Sequence, residues 1–210
     1  MASDYGNPSY WDERYSKHFD ADDQAVFDWY LDYSQLKPHL APYLSSDPDF
    51  EVLIPGCGNS SLGAEMYDDG HVNITNADVS AVVVNLMQER FADRSEMEFT
   101  VMDATRMEFL PDDCFNMIVD KALLDALLCG ENNAQNVSSM LNEMHRVLKP
   151  GGVYVCCSYG VPKTRLGYLR AAGLDWNVQH VRVPKGHIEG YDDMGASDSH
   201  FIYICQKGTA

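Results

Sequence analysis

The stretch Val52–Ser60 reads VLIPGCGNS, and after a gap of helix length it is followed by Ala77-Asp78-Val79. An apolar run typical of a buried strand ends here in a Gly-x-Gly turn, and an acidic residue follows about 20 residues later. In a Rossmann-like βαβ unit, such a turn lets the backbone approach a bound nucleotide, and the acid after the second strand accepts ribose hydroxyls. The pattern therefore indicates a site for a nucleoside cofactor.

The glycine pattern also discriminates among nucleoside cofactors. Gly56 and Gly58 are present, but Ser61 stands where dinucleotide sites have the third glycine that lets helix and strand pack closely beside a pyrophosphate. The chain also lacks the Gly-Lys-Ser/Thr tripeptide of triphosphate-binding loops. S-adenosyl-L-methionine has adenine and ribose but no phosphate, so the shorter turn suffices for it and Asp78 can accept both ribose hydroxyls. We therefore predict S-adenosyl-L-methionine as the cofactor.

Three further segments extend the pattern along the chain. They are Phe99–Thr105 (FTVMDAT), Phe115–Lys121 (FNMIVDK) and Arg146–Tyr154 (RVLKPGGVY), the last of which has the composition of a helix end, a turn and a strand start. A lone Gly-x-Gly is also compatible with a tight strand-to-helix turn, with Asp78 capping the next helix. Because five elements follow one another at βα spacing, the series favours the cofactor interpretation.

Hydrophobic patterning predicts one α/β domain. Two helices, Pro8–Lys17 and Gln24–Tyr43, precede seven strands near Glu51–Ile54, Asn73–Ala77, Glu98–Val101, Met117–Val119, Val153–Ser158, Trp176–Val183 and Phe201–Gln206. Their βαβ connections imply a mainly parallel sheet, and the last two strands, joined without a helix, form a hairpin that adds one antiparallel strand. The 210 residues are 45% hydrophobic and no Pro/Gly/Ser-rich linker divides them, so we expect a single core.

The charge balance restricts the partners. Fifteen Lys and Arg stand against 32 Asp and Glu, and the formal net charge is −17. Such a chain repels a phosphate backbone, which disfavours free nucleic acid, and it attracts a basic protein or a cationic small molecule. The same acidity is also compatible with a role in solubility alone.

Other residue types bear on location and metals. The six cysteines contain no Cys-x-x-Cys pair, which favours reduced thiols and a cytoplasmic location. We find no apolar stretch long enough to span a membrane and no signal-peptide core at the N-terminus. His180, His187 and His200 are too scattered for metal-ligand spacing, so we predict no metal.

Taken in order, VLIPGCGNS, ADVS, MDAT, VDKALLDAL and RVLKPGG resemble the motifs of class I S-adenosylmethionine-dependent methyltransferases over nearly the whole chain. More narrowly, Tyr10–Tyr15 (YWDERY), Phe27–Tyr33 (FDWYLDY), Gly56–Ser60 (GCGNS) and Asp120–Leu127 (DKALLDAL) are similar to the methyltransferase-like eukaryotic proteins that methylate lysines of elongation factor 1-alpha. The resemblance implies a seven-stranded Rossmann-like domain over residues 1–210, with residues 1–45 as a helical lid for cofactor or substrate. It also implies a protein-lysine N-methyltransferase acting on a basic cytosolic protein such as elongation factor 1-alpha.

Carried over to this chain, the resemblance implies ten residues at the cofactor site: Trp11, Tyr15, Trp29, Gly56, Gly58, Asp78, Val79, Asp103, Ala104 and Lys121. The three aromatic residues would cover the methionine end, where the two glycines bring the backbone close. Asp78 would hold the ribose with Val79 beside the adenine, and Asp103 would accept from the adenine amino group. Ala104 would present its backbone N–H to the ring, and Lys121 would line the cavity.

Several of these residues have structural alternatives. Trp11 and Tyr15 lie four apart and share a helix face, so they could instead pack the N-terminal helix onto the sheet. Asp103 could cap the following turn, and Lys121 could be a surface lysine that extends its amine into water.

The residues that would contact the methyl acceptor have several interpretations. Ala122-Leu123 stands where the resemblance leads us to expect Gly-Thr. Asp120 and Asp125 could accept a proton from an amine or guide it, or serve as a strand-end cap and a solvated helix residue, so we assign no general base. The segment Lys185–Ser199 could form an acidic lip or a solvated hairpin tip. A small-molecule methyltransferase and a cofactor-binding adaptor with weak catalysis remain alternatives.

Overall fold

The computed structural model describes residues 4–20, 26–171, 173–185 and 198–209. The helices in these ranges are α1 (Pro8–Asp20), α2 (Tyr33–Leu40), α3 (Leu62–Asp68), α4 (Ala81–Arg90), α5 (Leu123–Leu128), α6 (Asn133–Val147) and α7 (Pro162–Leu169). The strands are β1 (Val52–Pro55), β2 (Ile74–Asp78), β3 (Met97–Val101), β4 (Phe115–Lys121), β5 (Leu148–Ser158), β6 (Trp176–Pro184) and β7 (Ser199–Lys207).

The seven strands form one sheet in the order β3-β2-β1-β4-β5-β7-β6. Strands β1 to β5 pair in parallel, and β7 pairs antiparallel with both β5 and β6. This confirms the predicted α/β Rossmann-like class I methyltransferase fold, a mainly parallel seven-stranded sheet with one antiparallel strand. The strand order reverses between β1 and β4, and sheets of this kind bind ligands beyond the carboxyl ends of the strands at such a reversal.

The core lies on both faces of the sheet. All four residues of β1 are buried, as expected for a parallel strand covered on both sides. Because side chains alternate along a strand, Leu53 packs into the cluster formed with α5, α6 and α7. Val52 and Ile54 pack into the cluster on the opposite face, which α2 and α3 complete.

The N-terminal region differs in part from its prediction. The first helix is confirmed, but the helix expected over Gln24–Tyr43 occupies only α2, and residues 26–32 are not helical; residues 24 and 25 lie outside the described ranges. Asp32 forms a capping box with Gln35, which starts the helix there. Tyr30, at φ +66°, cannot continue a helix. The segment instead turns at Tyr30 and lines the cavity with Phe27, Trp29 and Tyr30.

Candidate active site

A cavity of about 560 Å³ opens at the carboxyl ends of the first five strands. All ten residues predicted for the cofactor site line it: Trp11, Tyr15, Trp29, Gly56, Gly58, Asp78, Val79, Asp103, Ala104 and Lys121. They come from the N-terminal region, the turn after β1, the ends of β2 and β4, and the loop after β3. Residues that are up to 110 positions apart along the chain are thus brought to one site.

The turn after β1 depends on its two glycines. Gly56 and Gly58 have φ of +62° and +53°, a left-handed conformation that other residues rarely adopt. A Cβ at Gly58 would lie 2.7 Å from the Tyr15 hydroxyl oxygen, so the missing side chain also makes room for α1. The Cys57 N–H donates to the Ala77 carbonyl at 3.0 Å and fixes the turn against β2.

Asp78 ends β2 on the cavity wall and is only 7% exposed. Its Oδ2 accepts from the Gly58 N–H at 2.9 Å, and its Oδ1 accepts from the Ser80 N–H at 3.0 Å. Burial raises the pKa of this carboxyl, while these backbone donors oppose the rise. These two backbone donors hold the Asp78 carboxylate in place on the cavity wall. The Ser80 contact shows that it also supports the start of α4, as the alternative interpretation proposed.

The cavity wall beyond β2 and β3 contains Val79, Asp103 and Ala104. Val79 is 38% exposed despite its apolar side chain, which provides a surface for a ring to pack against. Asp103 Oδ1 accepts from the Thr105 N–H at 2.8 Å and from its hydroxyl at 2.7 Å. Asp103 therefore does stabilise the following turn, and this turn holds both Asp103 and Ala104 at the cavity.

Helix α1 covers the glycine turn with aromatic side chains. Trp11 and Tyr15 share one helix face and stack with their ring centroids 5.9 Å apart. Tyr15 is 4% exposed and packs against Val83 of α4. It therefore both packs the N-terminal helix onto the domain, which was the structural alternative, and lines the cavity. The Ser80 hydroxyl donates to Asp12 at 2.6 Å and joins α1 to the start of α4.

The aromatic segment 26–31 is held at the site by contacts of Asp28. The Asp28 carboxylate accepts from the hydroxyls of Ser60 and Ser61 and pairs with the Lys121 ammonium. Lys121 ends β4 and is 7% exposed, so the alternative of a surface lysine is wrong. Burial lowers the pKa of Lys121, although Asp28 opposes this shift. This lysine anchors the segment, and its Nζ also lies 3.4 Å from the Leu31 carbonyl.

The two aspartates considered as proton acceptors have other functions. Asp120 is fully buried, and it accepts from the Leu123 N–H at 2.8 Å and the Tyr154 hydroxyl at 2.7 Å. It is the strand-end cap, and burial raises its pKa to about 7. Asp125 is 3% exposed, so the prediction of a solvated helix residue is wrong.

Donors surround the Asp125 carboxylate. Its Oδ1 accepts from Ser158 Oγ at 2.6 Å and from Arg165, whose Nη2 is 2.9 Å away. Its Oδ2 accepts from Tyr30 Oη at 2.9 Å and from the Tyr159 N–H at 3.0 Å. A carboxylate has about four lone-pair sites, and all are used here. Asp125 therefore has a structural role in the site, because none of its lone pairs remains to accept a proton from a substrate.

Among the lining residues that sequence reasoning did not assign, Tyr30 and Tyr159 lie beside Asp125. Tyr30 belongs to the quoted FDWYLDY segment, but the helix expected there concealed its position. Tyr159 directly follows β5 and is 49% exposed, and no spacing or neighbouring residue distinguished it.

Some expectations concern parts of the chain that the structure describes only in part. In the described ranges, no three or more His, Cys, Asp or Glu side chains are grouped so as to hold a metal ion. Likewise, the helices of those ranges are too short or too polar to cross a membrane. His187 and most of the segment expected as an acidic lip, including Glu189, Asp192 and Asp193, lie outside the described residues. Asp198 is described, and its carbonyl accepts from the Lys185 N–H at 2.9 Å.

The sheet order, with a glycine turn and a buried acid at its strand ends, is that of the class I S-adenosylmethionine-dependent methyltransferases. Residues 46–194 match the methyltransferase domain family, and the chain belongs to that family. Its cofactor is S-adenosyl-L-methionine.

Within this class, the chain is 33% identical over 98% of its length to EEF1A lysine methyltransferase 4 of Mus musculus, and it covers 77% of that protein. It is 39% identical over 87% of its length to the eEF1A lysine and N-terminal methyltransferase of Bos taurus, of which it spans only 26%. A SAM-dependent methyltransferase from Methanosarcina mazei superposes with a TM-score of 0.63 at 18% identity, covering 88% of this chain and 100% of its own, which supports the fold.

Proposed function

We propose that this protein is a protein-lysine N-methyltransferase whose substrate is elongation factor 1-alpha. The observation that carries the proposal is the cavity, which has nucleoside-type acids at one end and aromatic side chains with paired charges at the other. Similarity to relatives named for methylation of eEF1A lysines, over nearly the whole chain, supports this choice of substrate.

The cavity residues suggest how the cofactor is held. Asp78 would bind the ribose and Asp103 the adenine amino group, with Val79 against the ring. The backbone at Gly56 and Gly58 would approach the methionine portion. The fit is supported by the buried Asp78 carboxylate at the cavity wall and by the glycine turn, whose positive φ at Gly56 and Gly58 exposes backbone to the cavity.

Trp11, Tyr15 and Trp29 would cover the methionine end from above, and Ala104 and Lys121 would complete the walls. We extend this to residues 1–45 as a lid of the single domain. Two contacts support the lid: Gly6 packs against Gly130, where a Cβ on Gly6 would lie 2.2 Å from the Gly130 Cα, and α1 is joined to α4 through Asp12 and Ser80. The lid would exclude water during transfer.

S-adenosyl-L-methionine supplies an activated methyl group, so the protein needs mainly to position the acceptor. A free lysine amine has a pKa of about 10.4 and must lose a proton before it attacks. Desolvation lowers the pKa of an amine, and the aromatic walls formed by Trp29, Tyr30 and Tyr159 would provide it. The protein's net charge of −17 would attract a basic substrate over longer distances.

The test is transfer of a tritiated methyl group from S-adenosylmethionine to bacterially expressed elongation factor 1-alpha and to a cytosolic extract. Mass spectrometry then identifies the labelled residue. We expect label on a lysine of elongation factor 1-alpha. Asp78→Ala should weaken cofactor binding at least tenfold in calorimetry, since hydrogen bonds to a charged group contribute about 1.5–3 kcal/mol each. Asp93→Ala, a matched change at a surface carboxylate outside the cavity, should behave as wild type.

Other outcomes identify the alternatives. Label confined to small molecules of the extract would contradict the proposal and indicate a small-molecule methyltransferase. Cofactor binding without any label would indicate an adaptor.

A further inference from the structure

Tyr30 lines the end of the cavity opposite the proposed nucleoside site of the cofactor. Asp78 ends β2 and Asp103 follows β3, whereas Tyr30 contacts Asp125 and Tyr159, which follow β4 and β5. Strands are about 4.8 Å apart, so three spacings from β2 to β5 separate the two ends by about 14 Å. The acceptor must therefore enter on the side of Tyr30.

The backbone at Tyr30 is held in an uncommon conformation. Its φ is +66°, and the Leu31 N–H donates to the Trp29 carbonyl at 2.8 Å, which closes a three-residue turn around it. Turns of this kind with positive φ are rare and strained, and such strain persists only where the surroundings impose it. On one side of the turn, the Phe27 N–H donates a hydrogen bond to the Asn59 carbonyl at 3.1 Å. Lys121 holds the other side through Leu31.

Tyr30 lines the cavity, and its phenol oxygen can interact with a ligand only as a hydrogen-bond acceptor. Its proton is donated to Asp125 Oδ2 at 2.9 Å, which leaves the oxygen lone pairs available. Burial and the Asp125 carboxylate raise the pKa of Tyr30 well above its ordinary value, so the phenol keeps its proton. The Tyr159 and His200 rings, with centroids at 6.1 and 4.9 Å, restrict the rotation of the Tyr30 ring.

We propose that Tyr30 orients the substrate amine, its phenol oxygen accepting one N–H of the neutral lysine side chain, an assignment that rests on the proposed function. The lysine ammonium first loses one proton to solvent. The phenol then holds one of the two remaining N–H groups, and the nitrogen lone pair is directed along the cavity toward the cofactor end. Tyr30 itself gains and loses no proton in this step.

The test compares Tyr30→Phe with Tyr33→Phe in the full chain. Both changes remove a phenolic hydroxyl that donates to a carboxylate and keep the aromatic ring. The Tyr33 hydroxyl donates to Asp69 Oδ2 at 2.7 Å, outside the cavity. Initial rates on elongation factor 1-alpha give kcat and KM. Calorimetry with S-adenosylhomocysteine and thermal unfolding give cofactor affinity and Tm.

We expect Tyr30→Phe to lower kcat by about tenfold to a hundredfold, the size of effect that misplacement of a reacting group produces. KM and cofactor affinity should change little, and Tm should fall by about 3–12 °C because the buried Asp125 carboxylate loses one hydrogen bond. Tyr33→Phe should keep the wild-type kcat. A Tyr30→Phe rate within twofold of wild type would overturn the proposal. So would a rate loss that is matched by a loss of cofactor affinity, because Tyr30 would then be only an anchor of the segment.

The proposed function fails in a different way. If the wild-type protein labels no lysine, both proposals are wrong. If it labels a lysine and Tyr30→Phe is as active as wild type, only the role of Tyr30 is wrong.

Discussion

The ion pair between Asp125 and Arg165 is the most consequential buried interaction beside the cavity. Arg165 Nη2 lies 2.9 Å from Asp125 Oδ1, and the two side chains are only 8% and 3% exposed. At an effective dielectric constant of about 20, two charges about 4 Å apart attract by about 4 kcal/mol. Removing one partner of a buried pair costs about 3–5 kcal/mol, because the other charge stays buried without compensation.

A double-mutant cycle measures this coupling. Asp125→Asn leaves the Arg165 guanidinium uncompensated, and Arg165→Met leaves the carboxylate with only neutral donors. We expect each single variant to lose about 3–5 kcal/mol of unfolding free energy, or about 6–20 °C in Tm for a chain of this size. The double variant should lose about 3 kcal/mol less than the sum, because it has no unpaired charge.

Urea unfolding followed by circular dichroism gives the four free energies. The matched control is the surface pair Arg94 and Asp68, with a similar 3.0 Å contact but side chains 19% and 60% exposed. Its coupling should stay below about 1 kcal/mol. A coupling at Asp125 and Arg165 no larger than at this surface pair would refute the reasoning, since burial would then add nothing to the interaction.

Three further predictions concern the glycine turn and the β4–α5 junction. Ala122 has φ +81°, so Ala122→Gly should stabilise the fold by about 1 kcal/mol, and an unchanged or lower midpoint in urea would contradict this. Gly58→Ala places a Cβ 2.7 Å from the Tyr15 hydroxyl at a φ of +53°; it should weaken cofactor binding in calorimetry at least tenfold, and wild-type affinity would show that the turn adapts. Burial raises the pKa of Asp120 to about 7, so the stability from its protonated form is complete below about pH 4 and is lost as pH rises toward 7. The stability advantage of wild type over Asp120→Asn, measured in urea, should therefore shrink between pH 5 and 7.5, and a difference independent of pH would exclude this titration.

The sheet was predictable because its signals are local. Each strand is a short apolar run that ends at a glycine, an acid or a turn, and the βα spacing then determines the parallel arrangement. The same logic brought Gly56, Asp78 and Asp103 to one edge, since carboxyl ends of parallel strands meet there. Seven of the ten predicted residues line the cavity for this reason, whereas Trp11, Tyr15 and Trp29 reach it from the N-terminal region. Their individual roles stay predictions.

The errors arose where distant residues decide the structure. FDWYLDY has helical spacing, but Asp28 is held by Lys121, which lies 93 positions further along the chain. The local sequence around Asp125 indicates a solvated helix residue. In the structure, Arg165, which lies 40 positions further along the chain, contacts and covers it. The Tyr30 turn depends on both of these contacts, so no local pattern could have revealed it.

The two ion pairs also account for how an acidic protein can present an aromatic acceptor entrance. Lys121 neutralises Asp28 on one side of Tyr30, and Arg165 neutralises Asp125 on the other. Under the proposed function, a lysine amine that enters between them would meet aromatic faces and a phenol oxygen rather than an uncompensated carboxylate, which would hold the amine in its charged form. The chain's net charge of −17 acts at longer range, where it can attract a basic surface without raising the pKa of the amine at the site. Attraction and deprotonation are thus assigned to different parts of the molecule.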